Sequence, residues 1–492
     1  MTIPQLSGLS VEALGAGGIR DYFADLGLVY AVLFVLPFVG MLLSIALLPL
    51  ITPHWWHSNR NKALVALLFG APVAIWFVLR DAETLVHTLL EYGAFIGLLG
   101  SLFVISGGIH IRGSFAGRPL SNVAFYAVGA ILANFIGTTG ASMLLIRPLI
   151  RANRARRHQT HVVIFFIFIV SNCAGLLTPL GDPPLFLGFL KGVAFSWPLR
   201  LWPQWLVMVG ALIGVFYLVD SVLARKERSA PRAAGGAEEP PHQDRLPLTA
   251  NENAASGAVP GPGGGAKDTF GIEGAHNFLF LAMVIGLILL GGYVIHPLGG
   301  PTLLGDTFGS VVSKLVQLTG MAAIAASSYL MTARKVRQKN EFGFGPIVEV
   351  AVVFAGIFVA MIPALLILET RGAQLGLDRA WHYFWATGML SSILDNAPTY
   401  LAFSSLAKGT LGIHAEGLQA LTADPTGTAY LAAIATGAVF MGANTYIGNG
   451  PNFMVRAIAE EAKVRMPSFF GYMVWSMAVL LPLYLLITFI FF

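Results

Sequence analysis

The stretch Thr178-Pro179-Leu180-Gly181-Asp182-Pro183-Pro184-Leu185-Phe186 returns in altered form as Thr445-Tyr446-Ile447-Gly448-Asn449-Gly450-Pro451-Asn452-Phe453. Each copy lies inside an apolar segment that is otherwise long enough to cross a membrane. Glycine and proline interrupt a helix and leave backbone N–H and C=O groups at membrane depth, where only protein, water or a bound solute can satisfy them. The repeat therefore predicts a duplicated chain with one broken helix in each copy, an arrangement typical of carriers.

The composition places the chain in a bilayer. Of 492 residues, 56% are hydrophobic and 11% are charged, and the mean hydropathy is +0.72. This leaves too little polar surface to cover a soluble globule of that size. The basic residues form short clusters between apolar runs, which fits topology signals better than a nucleic-acid-binding face, so we expect no nucleic-acid partner. Cys173 is the only cysteine, so an internal disulfide and a cysteine-based metal cluster are excluded. We expect no cleavable signal peptide, because residues 1–25 lack a basic region followed by an apolar core.

Twelve apolar segments divide into two matching sets of six. The segments lie near residues 26–51, 63–79, 85–107, 121–149, 161–190, 201–224, 276–297, 307–333, 344–369, 381–407, 428–455 and 468–492. Between the sets, residues 225–275 are rich in Pro, Gly and Glu and cannot bury enough apolar surface to order themselves. We predict an N-terminal membrane repeat at 26–224, a flexible linker at 225–275 and a C-terminal repeat at 276–492.

The fourth segment of each set is interrupted by small and polar residues. The first reads Gly137-Thr138-Thr139-Gly140-Ala141-Ser142 and the second Asp395-Asn396-Ala397-Pro398-Thr399. If both segments are re-entrant hairpins, most Lys and Arg residues and the linker fall on one side, which the positive-inside rule assigns to the cytoplasm. The predicted fold is therefore an all-α polytopic membrane protein. It is an inverted repeat whose halves each hold about five transmembrane helices, one of them broken, and one re-entrant hairpin.

Oxygen-bearing side chains of the hairpin tips and helix breaks should then meet near the midplane. The candidate binding residues are Thr138, Thr139, Ser142, Asn172, Thr178, Asp182, Asp395, Asn396, Thr399, Asn444, Thr445 and Asn449. Such donors suit a sodium ion, for which Asp395, Asn396, Asn172 and Thr445 are the leading candidates. A carboxylate within the membrane must pair with a cation or hold a proton, so Asp182 and Asp395 could support cation/proton exchange. Each could instead cap the half-helix that follows it.

These motifs resemble the ion transporter superfamily, which includes sodium/proton antiporters and carriers of citrate, arsenite and dicarboxylates. The resemblance covers nearly the whole chain outside the linker. It is closest to the sodium/proton antiporter branch, through Gly181-Asp182-Pro183-Pro184 and Asp395-Asn396. It implies that the candidate residues hold ions and substrate and that the protein sits in a bacterial inner membrane with its linker in the cytoplasm. It also allows a homodimer. The chain departs from the dicarboxylate symporters, whose hairpin tips both carry Ser-Asn-Thr.

The leading functional prediction is a sodium or lithium/proton antiporter that works by alternating access, with sodium and protons as its transported or coupling ions and no other cofactor. The alternative is a sodium- or proton-coupled carrier of citrate or a related di- or tricarboxylate. Neither broken segment contains Lys or Arg to balance such an anion, although half-helix N-termini could substitute. An enzyme is disfavoured, because the chain lacks a His-Glu-x-x-His pair and a Gly-x-Ser-x-Gly elbow.

Overall fold

A computed structural model describes residues 18–113, 117–229, 271–295, 302–303, 306–415 and 417–492. Within these ranges, eleven helices are long and apolar enough to cross a membrane. The only strands described are two short antiparallel pairs, so the protein is an all-α polytopic membrane protein.

Nine α-helices are described in the first half of the chain, within residues 18–113 and 117–229. They are α1 (Gly18–Asp25), α2 (Leu28–Ile51), α3 (Pro53–Trp56), α4 (Asn59–Arg80), α5 (Ala82–Ser106), α6 (Pro119–Asn153), α7 (Thr160–Ile169), α8 (Pro183–Leu190) and α9 (Trp202–Ser229). Short 3-10 turns at Cys173–Leu177 and Trp197–Leu201 flank α8.

The second half repeats the order of long helices, hairpin and broken helix. Its helices are α10 (Asn277–Leu290, extended by a π turn at Gly291–Ile295), α11 (Phe308–Met331), α12 (Arg334–Lys339), α13 (Gly345–Arg371), α14 (Ala380–Ser391), α15 (Asn396–Thr410), α16 (Gln419–Ala423), α17 (Pro425–Met441), α18 (Gly450–Glu461) and α19 (Phe469–Phe491). Further 3-10 turns lie at Gly372–Leu375 and Gly442–Asn444. The predicted segments match these elements to within a few residues.

The fourth segment of each half folds back on itself. Helix α6 is interrupted at Gly137, whose φ of 75° and ψ of 157° are not helical. Its two ends meet, because the side-chain amides of Asn122 and Asn153 exchange hydrogen bonds of 3.0 and 2.8 Å. In the second half, the Tyr383 hydroxyl of α14 donates to Thr410 Oγ1 of α15 over 2.9 Å. Only Gly137 departs from helical geometry in α6, and the helix resumes at Thr138. The interruption is therefore shorter than the predicted one at 137–142.

The broken helices form the core of the molecule. The span Thr160–Leu177, which contains α7, is 89% buried, whereas the terminal span Phe469–Phe491 is 22% buried. Exposed apolar side chains such as Leu28 and Phe489 cover the peripheral helices, where lipid would meet them. The segments that break are therefore the ones most shielded from lipid, as backbone irregularity requires.

Both ends of the predicted linker, 225–275, include residues in regular secondary structure. Residues 225–229 continue α9, where Glu227 accepts hydrogen bonds from the Arg156 side chain and the His158 backbone. Residues 271–273 form strand β2 (Gly271–Glu273), which pairs antiparallel with β1 (His110–Arg112). The rest of the linker, 230–270, lies outside the described residues. A second pair joins β3 (Thr302–Leu303) to β4 (Asp306–Thr307).

Candidate functional site

Both helix breaks are built on a pair of glycines six residues apart. Gly175 and Gly181 frame the first break, and Gly442 and Gly448 frame the second. In each break two stretches of backbone pass very close to each other at these glycines. A Cβ added to the second glycine would collide with the backbone of the first. A Cβ on Gly448 would lie 2.6 Å from the Gly442 carbonyl oxygen, and one on Gly181 would lie even closer to the Gly175 oxygen. The sequence repeat thus encodes one local structure used twice.

Each break is hydrogen-bonded to the hairpin of its own half. Thr178 Oγ1 donates to the Asn134 carbonyl over 2.5 Å, and Thr445 Oγ1 donates to the Ser392 carbonyl over 2.6 Å. Asn444 strengthens the second attachment through a bond of 2.8 Å to Ser392 Oγ. In the first half, the hydroxyls of Ser142 and Ser171 bond over 2.8 Å. These predicted residues position the hairpins, and none of their hydrogen bonds within the described part of the chain goes to Asp182.

The carboxylate of Asp182 joins the breaks and the hairpin tips of both halves. Its Oδ1 accepts from Thr138 Oγ1 over 3.0 Å and from Asn449 Nδ2 over 3.3 Å. Its Oδ2 accepts from Asn396 Nδ2 over 2.5 Å. Asp182 is 1% exposed. All three donors are neutral, and no lysine or arginine among the described residues pairs with this carboxylate.

Three asparagines extend this contact between the halves. Asn449 Nδ2 also lies 3.2 Å from Asn172 Oδ1, and Asn172 Nδ2 donates to Asn452 Oδ1 over 2.6 Å. Asn452 in turn bonds to the carbonyls of Gly442 and Thr445 in its own break. All these side chains are buried. Because Asp182 and Asn449 occupy matching positions in the two repeats and touch each other, the centre of the site lies where the repeats meet.

Four half-helices begin at this centre. Asp182 precedes α8, Asn449 precedes α18, Asn396 is the first residue of α15, and Thr138 begins the second arm of α6. The N-terminus of a helix carries about half a positive charge, from backbone N–H groups that lack helical partners. The four helix dipoles therefore add positive potential at this centre, although Pro183 and Pro184 leave the start of α8 without two of its N–H groups.

A cavity lies between Asp182 and the start of α13. Its walls are mainly apolar and come from α5, the tip of the first hairpin, the first break and the start of α13. The residues that line it include Leu98, Leu102, Phe103, Thr138, Thr139, Pro179, Asp182, Phe186, Ile347 and Val350. Thr139 thus faces the cavity without contacting the Asp182 carboxylate.

The structure gives Asp182 and Asp395 different surroundings. Asp395 Oδ1 accepts from the Ala397 backbone N–H over 3.0 Å and so caps α15. Thr399 Oγ1 bonds to the Asp395 carbonyl in the same turn. Asp182 makes no such side-chain cap on α8. The capping alternative therefore describes Asp395, while Asp182 lies at the centre.

The predicted sodium ligands do not form one cluster through their hydrogen bonds. Asn396 and Asn172 belong to the network around Asp182 and Asn449, whereas Thr445 is bonded to the second hairpin and Asp395 to its own helix. Asn396 Oδ1 is buried and has no hydrogen-bond partner among the described residues. It is an acceptor still available to a ligand.

Sequence reasoning missed several residues that complete the site. Asn452 lies inside the repeated motif, three residues after Asn449, and Asn134 lies one turn before the Gly137 break. Because both residues lie beside the predicted motifs, their position in the sequence could have identified them as site residues. Tyr484, whose hydroxyl donates to Asn444 Oδ1 over 2.9 Å, is distant in sequence and carried no such signal.

The paired broken helices, folded-back hairpins and shared buried polar site define a multi-pass membrane transporter. The chain belongs to the family described as "Putative citrate transport", whose profile matches residues 28–492. Comparison with curated proteins finds no significant match.

Proposed function

We propose that this protein is a secondary carrier of citrate or a related di- or tricarboxylate, coupled to a proton or a sodium ion held at Asp182. The observation that carries the proposal is the convergence of four half-helix N-termini on one buried site. Carriers use such N-termini to receive the carboxylates of anionic substrates. The family description supports the same substrate class.

Asp182 gives a physical reason why transport of a carboxylate would be coupled to a proton or a cation. A carboxylate buried among neutral donors repels an anionic substrate unless a proton or cation accompanies it. Binding of that proton or cation would neutralise Asp182 and leave the helix N-termini free to attract the substrate. Loading of the coupling ion should therefore precede or accompany loading of the carboxylate.

The test is uptake of radiolabelled citrate by the full chain in proteoliposomes, under an imposed proton or sodium gradient. We expect gradient-driven uptake in the wild type. Asp182→Asn removes the group that holds the coupling ion, so we expect it to lower gradient-driven uptake about tenfold or more.

Asp424→Asn provides a matched control. Asp424 caps the N-terminus of α17 by accepting a hydrogen bond from the Gly427 N–H over 2.6 Å. The full length of α17 separates it from the second break, which begins at Gly442. Asparagine is an equally good cap, so this variant should retain uptake. Equal losses in both variants would contradict a specific role for Asp182, and absence of carboxylate uptake in the wild type would overturn the proposal.

Sodium or lithium/proton antiport remains the second candidate, because Asp182 and the unpartnered Asn396 Oδ1 place two oxygen acceptors side by side. In inverted vesicles, an antiporter would dissipate a respiratory proton gradient on addition of sodium. A response to sodium without carboxylate uptake would favour this candidate over the carboxylate carrier.

A further inference from the structure

Two half-helices that begin at the central site end at lysines bound to glutamates of neighbouring helices. Lys191 caps the C-terminus of α8, and its Nζ lies 2.7 Å from Glu91 Oε2 on α5. Lys408 lies in the last turn of α15, and its Nζ lies 3.1 Å from Glu369 Oε1 on α13. We call Glu91, Lys191, Glu369 and Lys408 the lysine–glutamate gate.

The gate residues are sheltered from solvent. The side chains of Glu91 and Lys408 are 2% and 1% exposed, while those of Lys191 and Glu369 are 25% and 19% exposed. Each lysine also stands at a helix C-terminus, where the helix dipole favours a positive charge. These pairs are therefore less screened than the exposed ion pairs of the surface.

The gate lies at the opposite end of the molecule from the cavity. The cavity contacts α13 at Ile347 and Val350, whereas Glu369 lies about 28 Å further along that helix. On α5 the cavity extends over residues 98–103, and Glu91 precedes them by two turns or more. The cavity and the lysine–glutamate gate therefore lie toward opposite ends of α5 and α13.

A polar stripe connects the site with the gate. Asn396, Tyr400, Ser404 and Lys408 are spaced four residues apart, so they share one face of α15. All four are buried, and a Cβ on Gly188 would lie 2.5 Å from the Tyr400 hydroxyl, which places this face against α8. Ser404 Oγ is buried without a partner among the described residues.

We propose that the lysine–glutamate gate closes the second access route to the site, along the α8–α15 interface, while the cavity holds the first route open. This inference rests on the protein being an alternating-access carrier and adds the residues that hold one of its two states. When the pairs separate, α8 and α15 are released from α5 and α13, and the far end opens.

The experiment measures accessibility and requires no knowledge of the substrate. In a Cys173→Ala background, Ser404→Cys places the only thiol beneath the gate. The full chain is reconstituted, and a membrane-impermeant thiol reagent is applied to either face of the vesicles. With the gate intact we expect slow labelling from the far-end face.

Removal of all four gate charges should increase the labelling rate from that face about tenfold, because the closed state loses both ion pairs. The variant carries Glu91→Gln, Lys191→Gln, Glu369→Gln and Lys408→Gln, which removes both partners of each pair. Arg20, 3.8 Å from Glu369, and His87, 3.4 Å from Glu91, are 33% and 27% exposed and keep contact with water. Lys191→Arg keeps a cation opposite Glu91, so labelling of that variant should stay slow.

Lys62→Gln with Glu349→Gln is the control for general loosening. These two residues form an ion pair of 2.8 Å near the cavity end of α13, with side chains that are 3% and 48% exposed. The double variant likewise leaves neither partner as an unpaired charge, so it should leave far-end labelling unchanged. Unchanged labelling in the four-fold variant, or an equal rise in the variant with Lys62→Gln and Glu349→Gln, would overturn the gate. If citrate uptake fails but gate labelling behaves as expected, only the substrate assignment is wrong.

Discussion

Asp182 and Asn449 occupy equivalent positions in the two repeats, yet only one of them is a carboxylate. Their side chains meet at 3.3 Å, so two carboxylates there would repel each other in a buried setting. An amide at position 449 instead donates to Asp182 and stays close to Asn172 Oδ1. The two copies of the motif have therefore diverged at a position where a second carboxylate would be costly.

This asymmetry gives a prediction for Asn449→Asp. The change replaces a donor to Asp182 with a second carboxylate, so we expect a loss of about 1–3 kcal/mol in stability and a lower melting temperature in detergent. The exchange Asp182→Asn with Asn449→Asp restores one carboxylate and one amide. It should melt closer to the wild type than Asn449→Asp alone does, and a melting temperature no higher than that of the single variant would contradict the equivalence.

At the scale of elements, the glycine pairs decide whether the breaks can form. A Cβ on Gly448 would collide with backbone, which cannot move away as a flexible side chain can. We expect Gly448→Ala to reduce the yield of folded protein strongly and to abolish transport. Gly286→Ala in α10, where no atom lies within 4 Å of the added Cβ, should express normally in the same gel-filtration assay.

The hairpins can be tested as elements by cross-linking. In a Cys173→Ala background, the pair Asn122→Cys and Asn153→Cys replaces two side chains that bond to each other across the ends of α6. Oxidation should form a disulfide and protect both thiols from a polyethylene-glycol maleimide that is applied after denaturation, because all these positions are buried in the folded protein. The pair Asn122→Cys and Asn134→Cys, about 18 Å apart along one helical arm, should remain fully reactive after the same treatment.

The sequence could predict the membrane spans and the helix breaks, but it could not identify the acidic residue at the centre of the site. Hydrophobic length located the spans, and the repeated Gly181 and Gly448 located the breaks. The sequence did not reveal which acidic residue is central, because Asp182 and Asp395 both precede a half-helix within an apolar segment. Only tertiary contact distinguishes them, since Asp395 bonds to its own helix and Asp182 to residues 44 or more positions away.

For the whole molecule, contacts with α13 set the relative orientation of the two halves. Near its C-terminus, the Arg371 side chain bonds to the carbonyls of Ala24 and Leu26, just before α2. At its other end, Phe342, which precedes α13, packs against Phe103 of α5. Strand β1 follows α5 and pairs with β2, just before α10. The first spans of the two halves therefore start near opposite ends of α13.

We infer from these contacts that the repeats are inverted, which site-directed labelling can test. Asp25 and Ala275 are exposed and lie just before α2 and α10 respectively. In a Cys173→Ala background, Asp25→Cys and Ala275→Cys should react with a membrane-impermeant reagent from opposite faces of the membrane. Ala275→Cys should react from the same face as Lys335→Cys in the basic helix α12, which the positive-inside rule assigns to the cytoplasm. Labelling of both reporters from one face would rule out inversion and, with it, alternating access between two oppositely oriented halves.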